Sequence, residues 1–365
     1  MPERRTGLVY DERCLAHRNP ARGLPFGTFP DWATTVAFER PERLIETWKV
    51  LEASGVLEHV QRVDAREAAQ DELQLVHTEA HVRRVLEAAR NGEPVNLGFE
   101  AWTVPGSEAA ALLAVGGLLA ATDRVLRGDL DNAFVLARPP GHHAEREASM
   151  GFCLFNNMGI AARWAQREHG LERIAIVDWD VHHGNGTEEV FYEDGSVLTI
   201  SLHQDRLYPP DTGGLEARGD GDGAGRNVNV PLPAFTGDEG YAHAFERVVE
   251  PVIRAFRPDL LLLGAGQDAA ASDPLGRMAL TTPGYRALTD RAVALADEVC
   301  GGRLVATLEG GYSLLHLPFA NLAILEGLAA LPPTFPRDPI GADVPSALRD
   351  VEWAAVAAAE QAHMS

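Results

Sequence analysis

Four short segments concentrate side chains that bind metals or move protons: Gly141-His142-His143, Asp178-Trp179-Asp180-Val181-His182-His183-Gly184-Asn185, Gly266-Gln267-Asp268 and Glu309-Gly310-Gly311-Tyr312. In an extended segment residues two apart project to the same side, so Asp178, Asp180 and His182 can face one point. Carboxylate and imidazole ligands suit a catalytic zinc, which takes three protein ligands and keeps one position open; Asp268, in a glycine-flanked loop, is the natural completion of the set. An isolated aspartate at a strand end is more simply a helix cap, and only the run together with Asp268 points to a metal. His142 and His143 follow the stiff Pro139-Pro140-Gly141 turn, where two adjacent imidazoles cannot both be ordinary core. Beside a metal they can divide the roles of base and electrostatic partner, with Asp178 and Asn185 suited to orient them. From its flexible Gly-Gly hinge, Tyr312 can swing a neutral hydroxyl toward a carbonyl oxygen. Met150-Gly151-Phe152 and Leu207-Tyr208-Pro209-Pro210 offer an apolar wall for the methylenes of a long substrate. Gln267 is read as bonding a loop carbonyl rather than a substrate, and Gly184 and Gly186 as residues of a tight chain reversal.

These groups need elements that deliver them to one place. Ala133–Leu136, Ile174–Val177, Val197–Ile200, Leu260–Leu263 and Leu304–Thr307 are short apolar runs without polar alternation, as expected of strands buried on both faces of a mainly parallel sheet. Helical patterns separate them: Ser107 and Thr282 are expected N-caps, Pro283 suits a first helical position, and Asn91-Gly92 should stop a helix that starts near Glu79. The alternation predicts an α/β chain with a doubly wound sheet, whose ligands bind beyond the carboxyl ends of the strands. The reactive segments directly follow four of the five runs.

Composition bounds the partners. Against 32 Lys+Arg stand 53 Asp+Glu, a net charge of −21 over 365 residues, so direct binding to nucleic acid or to an anionic membrane is not expected. Cys14, Cys153 and Cys300 have no CxxC spacing, which fits a cytoplasmic protein. Met1-Pro2-Glu3-Arg4-Arg5-Thr6 leads into no apolar stretch of the signal-peptide type. The apolar segment Ala109–Ala121 reads as a buried helix too short to span a bilayer. Residues 1–365 are expected to form one domain, with 332–365 as a proline-rich connection and a short terminal helix that either covers the core or contacts another subunit; a homo-oligomer stays open.

Taken in order, Val9 to Cys14, Arg138 to Ala144, Gly151 to Asn157, Val177 to Gly186, Asp268 to Gly276 and Leu308 to Ser313 resemble the histone deacetylase superfamily, in particular its class II-like bacterial amidohydrolases and the acetylpolyamine amidohydrolase group. The resemblance implies the three-layer arginase-type fold with helices on both faces of the sheet. It implies one zinc held by Asp180, His182 and Asp268, with His142 and His143 as the catalytic pair supported by Asp178 and Asn185, and Tyr312 donating to the substrate carbonyl. Gly151, Phe152, Tyr208 and Gly311 would line an acyl-lysine tunnel, and Leu275 its rim. Structural potassium is implied at two sites, one using Asp178, Asp180, His182, Ser201 and Leu202, the other Phe191, Asp194, Val197 and Arg226. Asn185 stands where class I members carry aspartate, and Gln267 where many members carry an aromatic residue. The implied activity is hydrolysis of N-acetyl-lysine or a related acyl-lysine amide by metal-activated water. An acetylated polyamine is the alternative substrate, against which Leu275 argues where polyamine-specific relatives place glutamate. A non-catalytic acyl-binding protein would be expected to have lost one of the six principal residues, and a binuclear ureohydrolase to carry further carboxylates near Asp268. Iron in place of zinc stays open, because a site of two aspartates and one histidine is not uniquely selective.

Overall fold

The computed structural model describes residues 4–20, 37–341, 344 and 347–364. Met1 to Glu3 of the amino-terminal reading, and Pro345 and Ser365 of the expected tail, lie outside these residues. Its strands are β1 (Thr6–Val9), β2 (Gln61–Val63), β3 (Val95–Gly98), β4 (Ala101–Thr103), β5 (Asn132–Val135), β6 (Ile174–Asp178), β7 (Val197–Gln204), β8 (Asn227–Leu232), β9 (Leu260–Ala265) and β10 (Leu304–Leu308). β3 and β4 form a separate antiparallel hairpin, while the other eight build one sheet in the order β2-β1-β5-β10-β9-β6-β7-β8. Every neighbouring pair in that sheet is parallel. All five expected runs are strands of it, and four of them, β5, β10, β9 and β6, are adjacent at its centre.

Helices cover both faces, as the register of β5 demonstrates. Asn132 donates through Nδ2 to Leu328 O, at the end of the helix Leu317–Leu328. Val135, three residues on and so on the opposite face, lies against Gly117 of the helix Ser107–Leu126. Leu260 to Leu263 of β9 are almost wholly buried between the layers, each burial contributing about 1.5–3 kcal/mol.

Several expectations need correction. The sheet has three further strands, β1, β2 and β8. The helix Ser107–Leu126 spans 20 residues, longer than the apolar stretch suggested and enough by length and composition to cross a membrane; it is instead largely buried as core. Its N-cap is Gly106 in the left-handed region, and Ser107 turns its Oγ back to accept from Val104 N at 2.8 Å. Thr281, not Thr282, caps the helix Thr282–Cys300 by accepting from Gly284 N at 3.1 Å. The helix Glu79–Arg90 does stop at Asn91-Gly92. The terminal helix Asp350–Met364 packs along β8, burying Glu352, Val356 and Ala359 and donating from His363 Nε2 to Asn229 O at 3.0 Å.

Candidate active site

The carboxyl ends of the four central strands place their loops side by side. Asp180 and His182 follow β6 and Asp268 follows β9, and one ligand atom from each lies within 4.8 Å of the other two in a buried group. His182 Nδ1 is 3.0 Å from Asp180 Oδ1 and 3.2 Å from Asp268 Oδ2. Ligand atoms around a tetrahedral zinc stand about 3.3–3.6 Å apart, so only a small adjustment is needed. The remaining oxygens are tied down: Asp180 Oδ2 accepts from Gly310 N at 2.7 Å and Asp268 Oδ1 from Val181 N at 2.8 Å. Asp268 Oδ2 is buried with the His182 imidazole, at 3.2 Å, beside it. Burial, reinforced by Asp180, pushes the Asp268 carboxyl up to about 7. A buried carboxylate oxygen beside a second carboxylate and an imidazole fits a divalent cation of the zinc type.

His142 and His143 flank this group in opposite electrostatic states. His142 Nδ1 donates to Asp178 Oδ2 at 2.8 Å, and its Nε2 lies 3.7 Å from Asp180 Oδ1. Burial disfavours its charged form, but Asp180 and Asp178 outweigh burial and raise it to about 10. His143 is held well below its ordinary value by burial and by the neighbouring His142 and His182. Asn185 donates through Nδ2 to Glu145 Oε1 at 2.8 Å, which turns its Oδ1 toward His143 Nδ1, also at 2.8 Å. His143 therefore keeps its proton on Nδ1 and presents Nε2 as a base. Both expected orienting residues are in place.

Tyr312 is not on a swinging hinge. Its ring is buried against Phe152, with centroids 5.6 Å apart, and lies 4.9 Å from the Arg43 guanidinium carbon. Asp273 Oδ2 accepts from Tyr312 N at 2.6 Å and Ser313 N at 3.0 Å, while its Oδ1 takes Leu275 N at 2.9 Å. One carboxylate thus joins the expected rim residue to the phenol. Tyr208 meets the His143 ring edge-on at 5.0 Å, and Gly151, at φ +52°, lies so close to His143 that an added Cβ would stand 2.3 Å from its Cδ2. Gly311, at φ +114°, accepts through its carbonyl from Arg43 Nε at 2.6 Å. Gly184 is the centre of a tight reversal, as expected: at φ −75° and ψ 58° it lets Asn185 N donate to His183 O at 2.8 Å, and a Cβ there would come within 2.8 Å of Asp178 Oδ2. Gln267 Nε2 donates to Ala265 O at 2.7 Å, the loop-carbonyl role expected of it.

The groups named for potassium are distributed as follows. Asp178 and Ser201 line a small cavity of about 10 Å³; Ser201 Oγ is 2.9 Å from His203 Nδ1, and Leu202 is buried on β7. At the second location Asp194 pairs with Arg163 at 2.5 Å, and the carbonyls of Phe191 and Arg226 accept from Asp194 N and Thr199 N at 2.9 Å each; Val197 opens β7 beside them. A further buried trio, His142, Cys153 and Glu309, has its side-chain donor atoms within 4.8 Å of one another, but burial keeps the Cys153 thiol protonated and a poor ligand.

The histone deacetylase domain matches residues 37–328. The chain belongs to the histone deacetylase family. It is 42% identical to the histone deacetylase-like amidohydrolase of Pseudomonas aeruginosa, over 92% of this chain and 89% of that protein. A probable deacetylase of Archaeoglobus fulgidus is likewise 42% identical over 92% of this chain and 89% of its own. The crystal structure of the HDA15 HD domain superposes with a TM-score of 0.84 at 34% identity, covering 99% of this chain and 95% of that one. The chain is an amidohydrolase of that family.

Four residues of this site escaped the sequence reading. Arg43, and Glu39, which accepts from it at 3.3 Å, lie far from every reactive segment along the chain. Asp273 and Glu309 stand inside segments already singled out, but nothing in their spacing separates an acceptor for backbone N–H groups from a metal ligand. Glu309 Oε2 accepts from Gly141 N at 2.7 Å and His142 N at 3.2 Å, fixing the histidine pair from beneath.

Proposed function

We propose that this protein hydrolyses the amide of N-acetyl-lysine side chains, or of lysines bearing a related acyl group, using zinc held by Asp180, His182 and Asp268. The observation that carries the reading is the buried Asp268 Oδ2 beside His182 and Asp180, next to two histidines fixed in opposite electrostatic states. When bound, the metal supplies Lewis-acid polarisation of the amide carbonyl and acidifies water. His143 Nε2 takes the proton of the attacking water and returns it to the departing amine as the C–N bond breaks, so the products are a carboxylate and a free amine. His142, held by Asp178, stays protonated and stabilises the negative charge that develops beside it. Tyr312 donates its O–H to the carbonyl oxygen as that oxygen gains charge, from a backbone clamped by Asp273. Gly151, Phe152, Tyr208 and Gly311 form the walls around the acyl-lysine methylenes, with Leu275 at the rim. Potassium at the Asp178–Ser201 and Phe191–Asp194 locations, a single domain over 1–365 and a cytoplasmic setting belong to the same reading.

The names of the relatives support a deacetylase, and Leu275 supports lysine over a polyamine, whose free ammonium calls for a carboxylate at the rim. The test is a comparison of kcat/KM for acetyl-lysine peptides, longer acyl-lysines and acetylpolyamines, together with Tyr312→Phe. The variant is expected to lose about two to three powers of ten in kcat. Undiminished turnover in that variant removes the role given to Tyr312, preference for acetylpolyamine overturns the substrate, and active protein free of zinc and iron overturns the mechanism.

A further inference from the structure

Between the segments that carry the histidine pair and Tyr312 lies a wholly buried charged cluster of Glu39, Arg43 and Arg138, with the His17 imidazole, lowered to about 4 by burial, beside it. Glu39 is its single anion. Arg138 binds it through both prongs, Nε to Oε1 at 2.7 Å and an Nη to Oε2 at 2.5 Å. Arg43 reaches Oε1 at 3.3 Å, and His17 Nε2 stands 3.5 Å from Oε2. Burial alone would raise the Glu39 carboxyl, but Arg138, His17 and Arg43 together hold it at about 2.

The two arginines go on to different parts of the site. Arg138 directly precedes Pro139-Pro140-Gly141-His142-His143 and donates onward to the carbonyls of Cys14 and His17. Arg43 donates to the carbonyls of Glu309 and Gly311 and lies over the Tyr312 ring. One carboxylate therefore ties the loop after β5 to the loop after β10. Without it, two like charges would face each other in the core and separate, and each carries a catalytic segment with it.

We propose that Glu39 is a positioning residue for the reaction, setting through Arg43 and Arg138 the separation between Tyr312 and the histidine pair. This rests on the role given to Tyr312 above. Displacements near 1 Å in such geometry cost on the order of 100-fold in rate, so Glu39→Gln is expected to lower kcat by about 10- to 100-fold with KM little changed. Glu39→Asp keeps the charge but shortens its reach, giving a smaller loss, and it carries the test if the glutamine variant fails to fold. The decisive measurement is a double-mutant cycle with Tyr312→Phe, following kcat, zinc content and Tm of each protein. If Glu39 acts through Tyr312, its substitution costs little further once the phenol hydroxyl is gone. Equal losses in both backgrounds, an unchanged kcat in folded Glu39 variants, or an effect confined to KM each overturn the proposal. The Tyr312→Phe protein alone reads the underlying assignment, so the two failures are distinguishable.

Discussion

Gly151→Ala puts one methyl group where the structure has no room for it. The added Cβ would stand 2.3 Å from His143 Cδ2, 2.9 Å from Cγ and 3.1 Å from Nε2. Carbon atoms rest about 3.5–4.0 Å apart, so the imidazole has to retreat by about 1 Å or more. The bond from His143 Nδ1 to Asn185 Oδ1, now 2.8 Å, would stretch beyond hydrogen-bonding distance, freeing both the tautomer and the tilt of the proposed base. A displacement of that size costs on the order of 100-fold in rate. The φ of +52° at this position adds about 1–2 kcal/mol of backbone strain for alanine, a drop of a few degrees in Tm rather than loss of the fold. Steady-state kinetics on an acetyl-lysine peptide separate two origins. A displaced base lowers kcat, whereas a merely narrowed tunnel raises KM. Wild-type kcat in Gly151→Ala, or a kcat loss that tracks unfolding in the melting curve, refutes the reasoning.

Three other outcomes are expected. Asp268→Ala should abolish stoichiometric zinc binding, measured by elemental analysis after dialysis; full zinc retention contradicts the ligand assignment. His77 is buried, accepts from Asn156 N at 2.9 Å and donates to Glu145 O at 2.9 Å, and burial and His81 hold it at about 3. The unfolded chain takes up a proton near pH 6.5 that folded His77 refuses, so stability falls by about 1.4 kcal/mol per pH unit from pH 6.5 toward 3; urea unfolding of His77→Gln should show a slope shallower by that amount, and parallel slopes refute it. Removing residues 347–364 uncovers β8 and should leave kcat/KM unchanged while light scattering reports association through the exposed strand edge; a monodisperse truncated protein would show that the helix protects nothing.

The centre of the molecule was legible because β5, β6, β7, β9 and β10 are buried on both faces and so read as continuous apolar runs. The margins were not. β1 has only four residues and includes Thr6 and Gly7, and β8 alternates asparagine with valine and carries Pro231, a composition that an edge strand tolerates and that otherwise resembles a loop. The cap at Thr281 could not be told from Thr282, since adjacent identical residues give propensity nothing to choose between. Asp180, His182 and the histidine pair were readable because they sit at short spacings, and Asp268 because it stands in a glycine-flanked loop directly after an apolar run. Glu39 and Arg138 are 99 residues apart, and their pairing depends on how the strands are ordered in the sheet, which local pattern does not encode. The same holds for Asp273, whose partner Tyr312 lies 39 residues further along.

The strand order also governs when during synthesis this protein can become an enzyme. β10 is the last strand to be made, yet it belongs in the middle of the sheet, hydrogen-bonded to β5 on one side and β9 on the other. Without it, the sheet order would be divided into two parts, β2-β1-β5 and β9-β6-β7-β8, with β5 and β9 unpaired where they face each other. Such edges invite association, and pairings between distant segments form slowly. The same insertion brings in Glu309 and Tyr312, so a chain halted before β10 would carry the proposed metal ligands but neither the carboxylate that holds the histidine pair nor the phenol. Completion of the proposed site is thus tied to completion of the sheet, since the strand that closes the gap between β5 and β9 also leads into the last two of its groups.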